Sequence, residues 1–323
     1  MKERFILPAA LQLILDDVGW FYGGYGRFFN DAARTSLPRR HVLADYVMIE
    51  ELGKRIGQRI HGMFVIGDWD RDGVLARVPN SNPQGEAWKG SKHLRMEEAE
   101  EIRDFVNSAE HLELGLHGLL HDVWQNGANL GAAEFFPPKG FVRGQPQQLA
   151  DRDYLKKHFD AFYEIYQSWG FRGRIRSFVS PCGEAGAHLR NDLQPLLREY
   201  GIEYWANHTY LPKPVGTTVH SGVIFSRKEI ELVHFAAYDL DPDLLPTYRA
   251  EDAGIIGGHW PNVLRWNPEN NLERLDRWET FFRRQCEVFG IMLSRDIGFA
   301  HQQMLYRNLG AVREEGNEVV ILT

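Results

Sequence analysis

Cysteine is nearly absent. Of 323 residues only Cys182 and Cys286 are cysteines, and two thiols so far apart build neither a disulfide framework nor a four-thiolate metal site. Long apolar runs are missing too: none approaches the ~18 residues of a membrane span. A basic excess is also missing. There are 37 Lys+Arg against 44 Asp+Glu, a formal net charge of −7, which argues against a nucleic-acid partner needing a clustered basic face. The chain has no Ser- or Pro-rich linker, no short-period repeat, no G-x-G-x-x-G and no Walker-type G-x-x-x-x-G-K, so tethered domains, solenoids and phosphate-cradling loops are not expected. The stretch from Met1 to Leu15 is interrupted by Pro8 and Gln12 and runs into Asp16-Asp17, where a small-residue cleavage site would stand. A cleaved signal peptide is therefore not expected, and the location read from the sequence is cytoplasmic, with no membrane partner. No signal sets an oligomeric state.

Aromatics and histidine are plentiful: 12% of residues are aromatic, nine of them Trp, and 13 are His, which leaves room for metal or acid–base chemistry. Short apolar segments alternate with longer amphipathic ones, the pattern of βα units. Strands are expected at Leu11 to Leu15, Met63 to Ile66, Leu112 to Leu116, Ile175 to Val179, Tyr204 to Ala206, Ile230 to Phe235 and Gly254 to Ile256. Tyr154, Leu155, Phe159, Phe162, Tyr163, Tyr166 and Trp169 recur at helical spacing, with Gly170 as the stop. Leu272, Leu275, Trp278, Phe281 and Phe282 mark a second helix, and Met96 to Ser108 a third. These stripes read as core. Val78 to Gly90 and Phe135 to Gln148 read as long loops, which in an α/β barrel shape the substrate mouth. One domain over residues 1–323 fits better than two, with the part from about 262 as a helical extension.

Three features can carry chemistry. Asp16-Asp17 ends an expected buried strand, so one carboxylate can ligate a metal while the other handles a proton. His117-Gly118-Leu119-Leu120-His121, followed by Asp122, comes after another strand; a four-residue spacing in a helical turn would set both imidazoles on one face, able to share a divalent ion. Ile255-Ile256-Gly257-Gly258-His259 delivers a single His to a third strand end, where a ring of ordinary pKa ~6.5 suits a general acid.

In order and spacing the set Asp16-Asp17, Gly62-Met63-Phe64-Val65-Ile66-Gly67, His117/His121, Ser180-Pro181-Cys182-Gly183 and His259 resembles the polysaccharide deacetylases of carbohydrate esterase family 4, the NodB-homology group. The resemblance runs from about Leu11 to His259. It implies a distorted (β/α) barrel of about seven strands with long loops at the C-terminal face. It also implies metal ligands Asp17, His117 and His121, the catalytic base Asp16, and His259 as the acid that protonates the leaving amine. The backbone N–H of Cys182 would hold the oxyanion, and Trp20, Trp124, Trp205 and Trp260 would stack on sugar faces. Two imidazoles and a carboxylate suit zinc, and also cobalt, nickel or iron.

The chain departs from the family where Val179-Ser180-Pro181-Cys182-Gly183 replaces the usual Arg-Pro-Pro-Tyr-Gly. The Arg that orients the catalytic Asp is gone, and Arg174 or Arg176 would have to reach in. The expected function is removal of acetyl groups from an N-acetylated or O-acetylated carbohydrate. The alternatives are a metal-dependent amidase on a small amide, resembling allantoinase-like proteins, and a non-catalytic carbohydrate-binding barrel.

Overall fold

All nine residues of the first strand, β1 (Ala10–Val18), are buried, as expected of a strand covered on both faces in a parallel sheet. The computed structural model describes residues 10–21, 39–136, 149–181, 187–207, 217–227, 230–232, 239–247, 254–316 and 318–322. After β1 come α1 (Leu43–Ile56), β2 (Ile60–Phe64), α2 (Met96–Ser108) and β3 (Leu112–Leu116). A hairpin of β4 (Asp122–Gln125) and β5 (Ala128–Ala133) precedes α3 (Arg152–Ser168), β6 (Ser177–Phe178), α4 (Ala187–Glu199) and β7 (Tyr204–Asn207). Then follow β8 (Thr218–His220), β9 (Val223–Arg227), β10 (Ile230–Glu231), β11 (Ile255–His259) and the short α5 (Trp260–Val263). The chain ends with α6 (Leu275–Phe289), β12 (Met292–Leu293), α7 (Ile297–Leu309), β13 (Ala311–Glu315) and β14 (Glu318–Leu322). No helix among the described residues is long and apolar enough to cross a membrane.

Eight parallel strands form one ladder in the order β10-β11-β1-β2-β3-β6-β7-β9, one more than the seven expected; β8 adds antiparallel to β9, and β12 pairs with β1. The two ends, β9 and β10, are not hydrogen-bonded to each other among the described residues, so the sheet is barrel-like but open in its hydrogen bonding. They are nonetheless consecutive in the chain. Only residues 228–229 separate Arg227 from Ile230, so these two Cα atoms lie no more than about 11 Å apart. Chain continuity therefore curls the sheet round.

β3 falls where it is expected, and the bounds of the other strands shift by one to four residues where bulges and turns intervene. The second begins at Ile60 and stops at Phe64, because a 3-10 turn at Gly67–Trp69 takes over, and the fourth shrinks to Ser177–Phe178. Of the segment expected at Ile230 to Phe235, residues 233–235 lie outside the described residues, as do 137–148 of the second long loop. The helix expected from Tyr154 to Trp169 is α3, which ends at Ser168 with Trp169 as its C-cap and is capped at its start by Asp151, whose carboxylate accepts from Tyr154 N at 2.8 Å. Leu272 belongs to a 3-10 segment, Pro268–Arg274, that leads into α6.

Side chains alternate along the strands and so separate into two apolar clusters. Leu11, Leu13, Leu15, Leu112, Leu114, Leu116, Phe178 and Trp205 join the large cluster under the surrounding helices. Ile14, Met63, Val179, Tyr204, Ala206 and Ile255 form a smaller one, completed by Ile297 and Met304 of α7. The C-terminal part is therefore more than a helical extension. It contributes β12, a β13–β14 hairpin, and a helix that fills the inside of the curled sheet at the N-terminal ends of its strands. There Gly298 sits so close that a Cβ would come within 2.9 Å of the Tyr204 hydroxyl. The inner apolar face needs a cover, and α7 supplies it.

Two histidines are enclosed with this plug. His61 Nε2 meets the Ser177 hydroxyl across Gly115, where any Cβ would lie 2.4 Å from Ser177 Oγ. His301, on α7, packs against the Tyr204 ring at 5.2 Å between centroids. Burial pushes both rings down to about 3, with the neighbouring His301 adding to the effect on His61. In the unfolded chain they would protonate near the ordinary value of 6.5. Stability should therefore be insensitive to these rings above pH ~6.5 and fall as pH drops toward ~3, by about 1.4 kcal/mol per pH unit for each ring. Denaturant titrations between about pH 7 and 5 should show this slope, and His301→Gln, which cannot ionise, should lower it by about one proton. An unchanged slope would mean that His301 is not buried neutral.

Candidate metal centre

The inner face of the sheet carries the candidate site at the C-terminal ends of β1, β3 and β11. Asp16 follows Ile14 by one pleat, and His259 follows Ile255 and Gly257; the ladder pairs Asp16 directly with His259. On β3, Gly115 faces inward against Met63, so His117, two residues on, does as well. Asp17 breaks the alternation, which would turn it outward into the helices. Its φ of +64° and a register shift between Leu15 and Val18 make a bulge that turns it inward too.

Asp17, His117 and His121 bring one ligand atom each within 4.8 Å of one another, and all three are buried. Asp17 Oδ1 lies 3.5 Å from His117 Nε2 and 3.7 Å from His121 Nε2, while His259 Nε2 stands 4.0 Å from Asp17 Oδ2. At such distances the rings attract the carboxylate without well-formed hydrogen bonds, and Asp17 Oδ1 is left with no donor in bonding geometry. Burial alone would raise the Asp17 carboxyl; His121 and His117, with His259 behind them, outweigh it and hold it below the ordinary carboxylate value.

The far nitrogens of both rings are occupied. His117 Nδ1 sits 2.8 Å from the Val179 carbonyl, which fixes the tautomer with Nε2 free to face Asp17. His121 Nδ1 sits 3.2 Å from Asp122 Oδ1, and Asn129 donates to the other Asp122 oxygen at 2.6 Å. Ligands at about 2.0–2.1 Å from a tetrahedral zinc lie about 3.3 Å from each other, close to the two Asp17–His separations. The donor set therefore fits a divalent ion of the zinc class.

The His117–His121 segment is not a helical turn. It runs as an irregular loop in which Gly118 has φ +100° and His121 φ +65°. The rings converge because the loop folds back, not because of helical periodicity. With Asp17, two of the three candidate ligands thus hold left-handed backbone conformations, each costing on the order of 1 kcal/mol for a residue with a side chain.

Other expected site residues fare differently. Trp20 and Trp124 are 3% exposed, Trp205 1% and Trp260 0%, so none offers a face to a sugar. Trp260 stacks on His41 at 4.1 Å and Trp205 packs edge-on against Phe225, both as core. Arg174 and Arg176 do not replace the missing Arg: both pair with Glu203, at 2.9 and 3.1 Å. Cys182 lies outside the described residues. What the sequence reading missed is the β4–β5 hairpin, which supplies Asn129 and returns the chain to His121. Its signal was present in the Asn126-Gly127 dipeptide, with φ +50° and +81°, the pair a two-residue hairpin turn favours.

No family model matches the sequence, and no curated protein matches it. Among solved structures the chain is similar to a 4-alpha-glucanotransferase from Thermococcus litoralis, at 14% identity and a TM-score of 0.42 over 89% of this chain. It spans only 39% of that protein's length, and nothing about the site is carried over from so distant a likeness.

The geometry makes a direct expectation. Reconstituted with zinc, the protein should hold about one ion per chain, and a His117→Ala/His121→Ala double variant should hold none. Equal metal content in the two would remove the site.

Proposed function

We propose that the chain is a metal-dependent hydrolase that removes acetyl groups from an N-acetylated or O-acetylated carbohydrate. One observation carries the reading: the three-ligand set Asp17, His117 and His121 shares an inner face with two further ionisable groups, Asp16 and His259, paired in register. Three protein ligands leave a position open, which is the mark of a catalytic rather than a closed structural site. A bound divalent ion would supply polarisation of the acyl carbonyl and a more acidic water. The rest falls to the chain's own groups. Asp16 accepts the proton of the attacking water at its carboxylate. His259, 12% exposed at its side chain, hands a proton to the departing amine or alcohol. Val179 and Asp122 keep the two ring nitrogens aimed at Asp17. The order of motifs along the sequence, which resembles carbohydrate esterase family 4, supports acetyl as the acyl group transferred to water.

A second reading keeps this machinery and changes the substrate to a small amide. The observation in its favour is the burial of Trp20, Trp124, Trp205 and Trp260, which takes away the sugar-stacking faces a glycan site would use.

The test is acetate release from acetylated sugars by an Asp16→Asn variant shown to retain its metal. Loss of roughly 10²–10⁴-fold is expected for removal of a general base. Full activity would eliminate Asp16 as that base. Turnover of small amides with none of acetylated sugars would transfer the proposal to the second reading.

A further inference from the structure

The loop that carries both candidate histidine ligands is pinned from two sides. On one side, Ile66 N donates to the Gly118 carbonyl at 3.2 Å and Gly67 N to the Leu119 carbonyl at 2.7 Å, so the exit of β2 holds the loop's acceptors. On the other, a single atom, Glu134 Oε2, accepts from Leu119 N at 2.7 Å and from His121 N at 3.2 Å. Glu134 follows the last residue of β5, and its own N–H donates to the His121 carbonyl at 3.0 Å. The hairpin thus starts at the second histidine and delivers, 13 residues later, the carboxylate that binds that histidine's backbone.

Glu134 is completely buried and is itself clamped. Its Oε1 lies 2.8 Å from His158 Nδ1, and His158 Nε2 lies 2.8 Å from the Pro79 carbonyl. Both neighbours of the ring are acceptors, so two protons serve these two bonds. The Glu134–His158 pair is then neutral as a unit wherever the shared proton resides, as burial requires. Tyr154 adds a hydrogen bond to the Glu134 carbonyl at 3.1 Å and stacks on the His158 ring at 4.2 Å. Gly118 belongs to the same arrangement: a Cβ there would fall 2.4 Å from Glu134 Oε2, so any side chain at 118 would evict the carboxylate.

We propose that Glu134 is the positioning residue of the metal centre, an anchor whose reach, clamped by His158, folds the His117–His121 loop so that both imidazoles face Asp17. It touches neither ligand atom. It acts through the backbone of Leu119 and His121, and it holds in the left-handed conformation a residue that would otherwise relax out of it. For its effect on metal affinity this role rests on the metal reading given above; its effect on the loop does not.

Three substitutions separate reach from charge. Glu134→Gln keeps the length, and with a neutral His158 it can reproduce every hydrogen bond named. Glu134→Asp keeps the charge but is one methylene short. Glu134→Ala removes both. Two measurements follow on variants that give a folded circular-dichroism spectrum: zinc affinity by competition with a chelator, and amide hydrogen exchange at Leu119 and His121 in the metal-free protein. Glu134→Gln should stay within about 3-fold of the parent in affinity, while Glu134→Ala and Glu134→Asp should lose about 10–100-fold, the range of outer-shell substitutions. Exchange at the two amides should rise at least about 10-fold in Ala and Asp and little in Gln, with the amides of β3 itself unchanged. Should Glu134→Ala fail to fold, the Asp and Gln pair carries the test. Metal affinity kept in Asp and lost in Gln would overturn the anchor in favour of a charge effect. Unchanged exchange and affinity in Asp would overturn it outright. If the parent binds no zinc, the metal reading fails, and exchange at Leu119 and His121 still decides the anchor.

Discussion

A carboxylate closed off from water is the constraint around which this fold is arranged. Asp17 is 1% exposed and one of its oxygens has no donor in bonding geometry, a state that ordinarily costs several kcal/mol. Three imidazole nitrogens surround it within 4.0 Å. Their attraction holds Asp17 below the ordinary carboxylate value, yet its Oδ1 gains no donor in bonding geometry. On the proposed reading, a divalent ion resolves the conflict, because it supplies the charge and takes lone pairs from neutral rings at the same time. The same residues that look unfavourable as a bare polar cluster then become complementary.

The convergence is made by sheet geometry rather than by any one helix. Parallel pairing sets strand ends side by side, and the two-residue period selects which side chains look inward. Asp16, His117 and His259 obey that period, so their meeting follows from register alone. Asp17 and His121 do not obey it. One is turned in by a bulge and the other by a folded-back loop, and both pay in left-handed backbone. The irregular positions are thus the ones that complete the ligand set. A regular sheet would have turned only one of the three ligands inward, His117.

Periodicity and punctuation made much of this legible. The βα alternation, the parallel strands as apolar runs and the strand-end positions of Asp16, His117 and His259 are local properties, and local sequence reports them. The strand that was not anticipated is β9 (Val223–Arg227), and the bounds of short strands were less visible, because a two-residue segment such as Ser177–Phe178 has no period of its own to mark its ends. The role of α7 was hidden for a different reason. Whether an amphipathic segment lies outside a sheet or plugs it depends on which apolar face is left uncovered, and that is a property of the whole fold. The tryptophans illustrate the converse error: aromatic side chains near a presumed site are read as binding surface, yet Trp205 of β7 and Trp260, the first residue of α5, both belong to the large core cluster.

Glu134 was beyond local reading altogether. It has no motif, and its partners stand on two other elements, Leu119 and His121 on the ligand loop and His158 on α3. The Asn126-Gly127 turn announces a hairpin, and a hairpin beginning at His121 must return some residue to it; what it cannot announce is that this residue is a carboxylate aimed at backbone amides. That choice makes physical sense only with the site assembled. A loop carrying two ligands cannot satisfy its own amides as a helix would, and the buried amides of Leu119 and His121 are satisfied by a side chain. An acceptor must therefore come from elsewhere in the chain, and it must itself be neutralised, which explains the buried partner His158. The regular part of the fold presents the chemistry, and a small, fully satisfied polar network holds the irregular part in place to complete it.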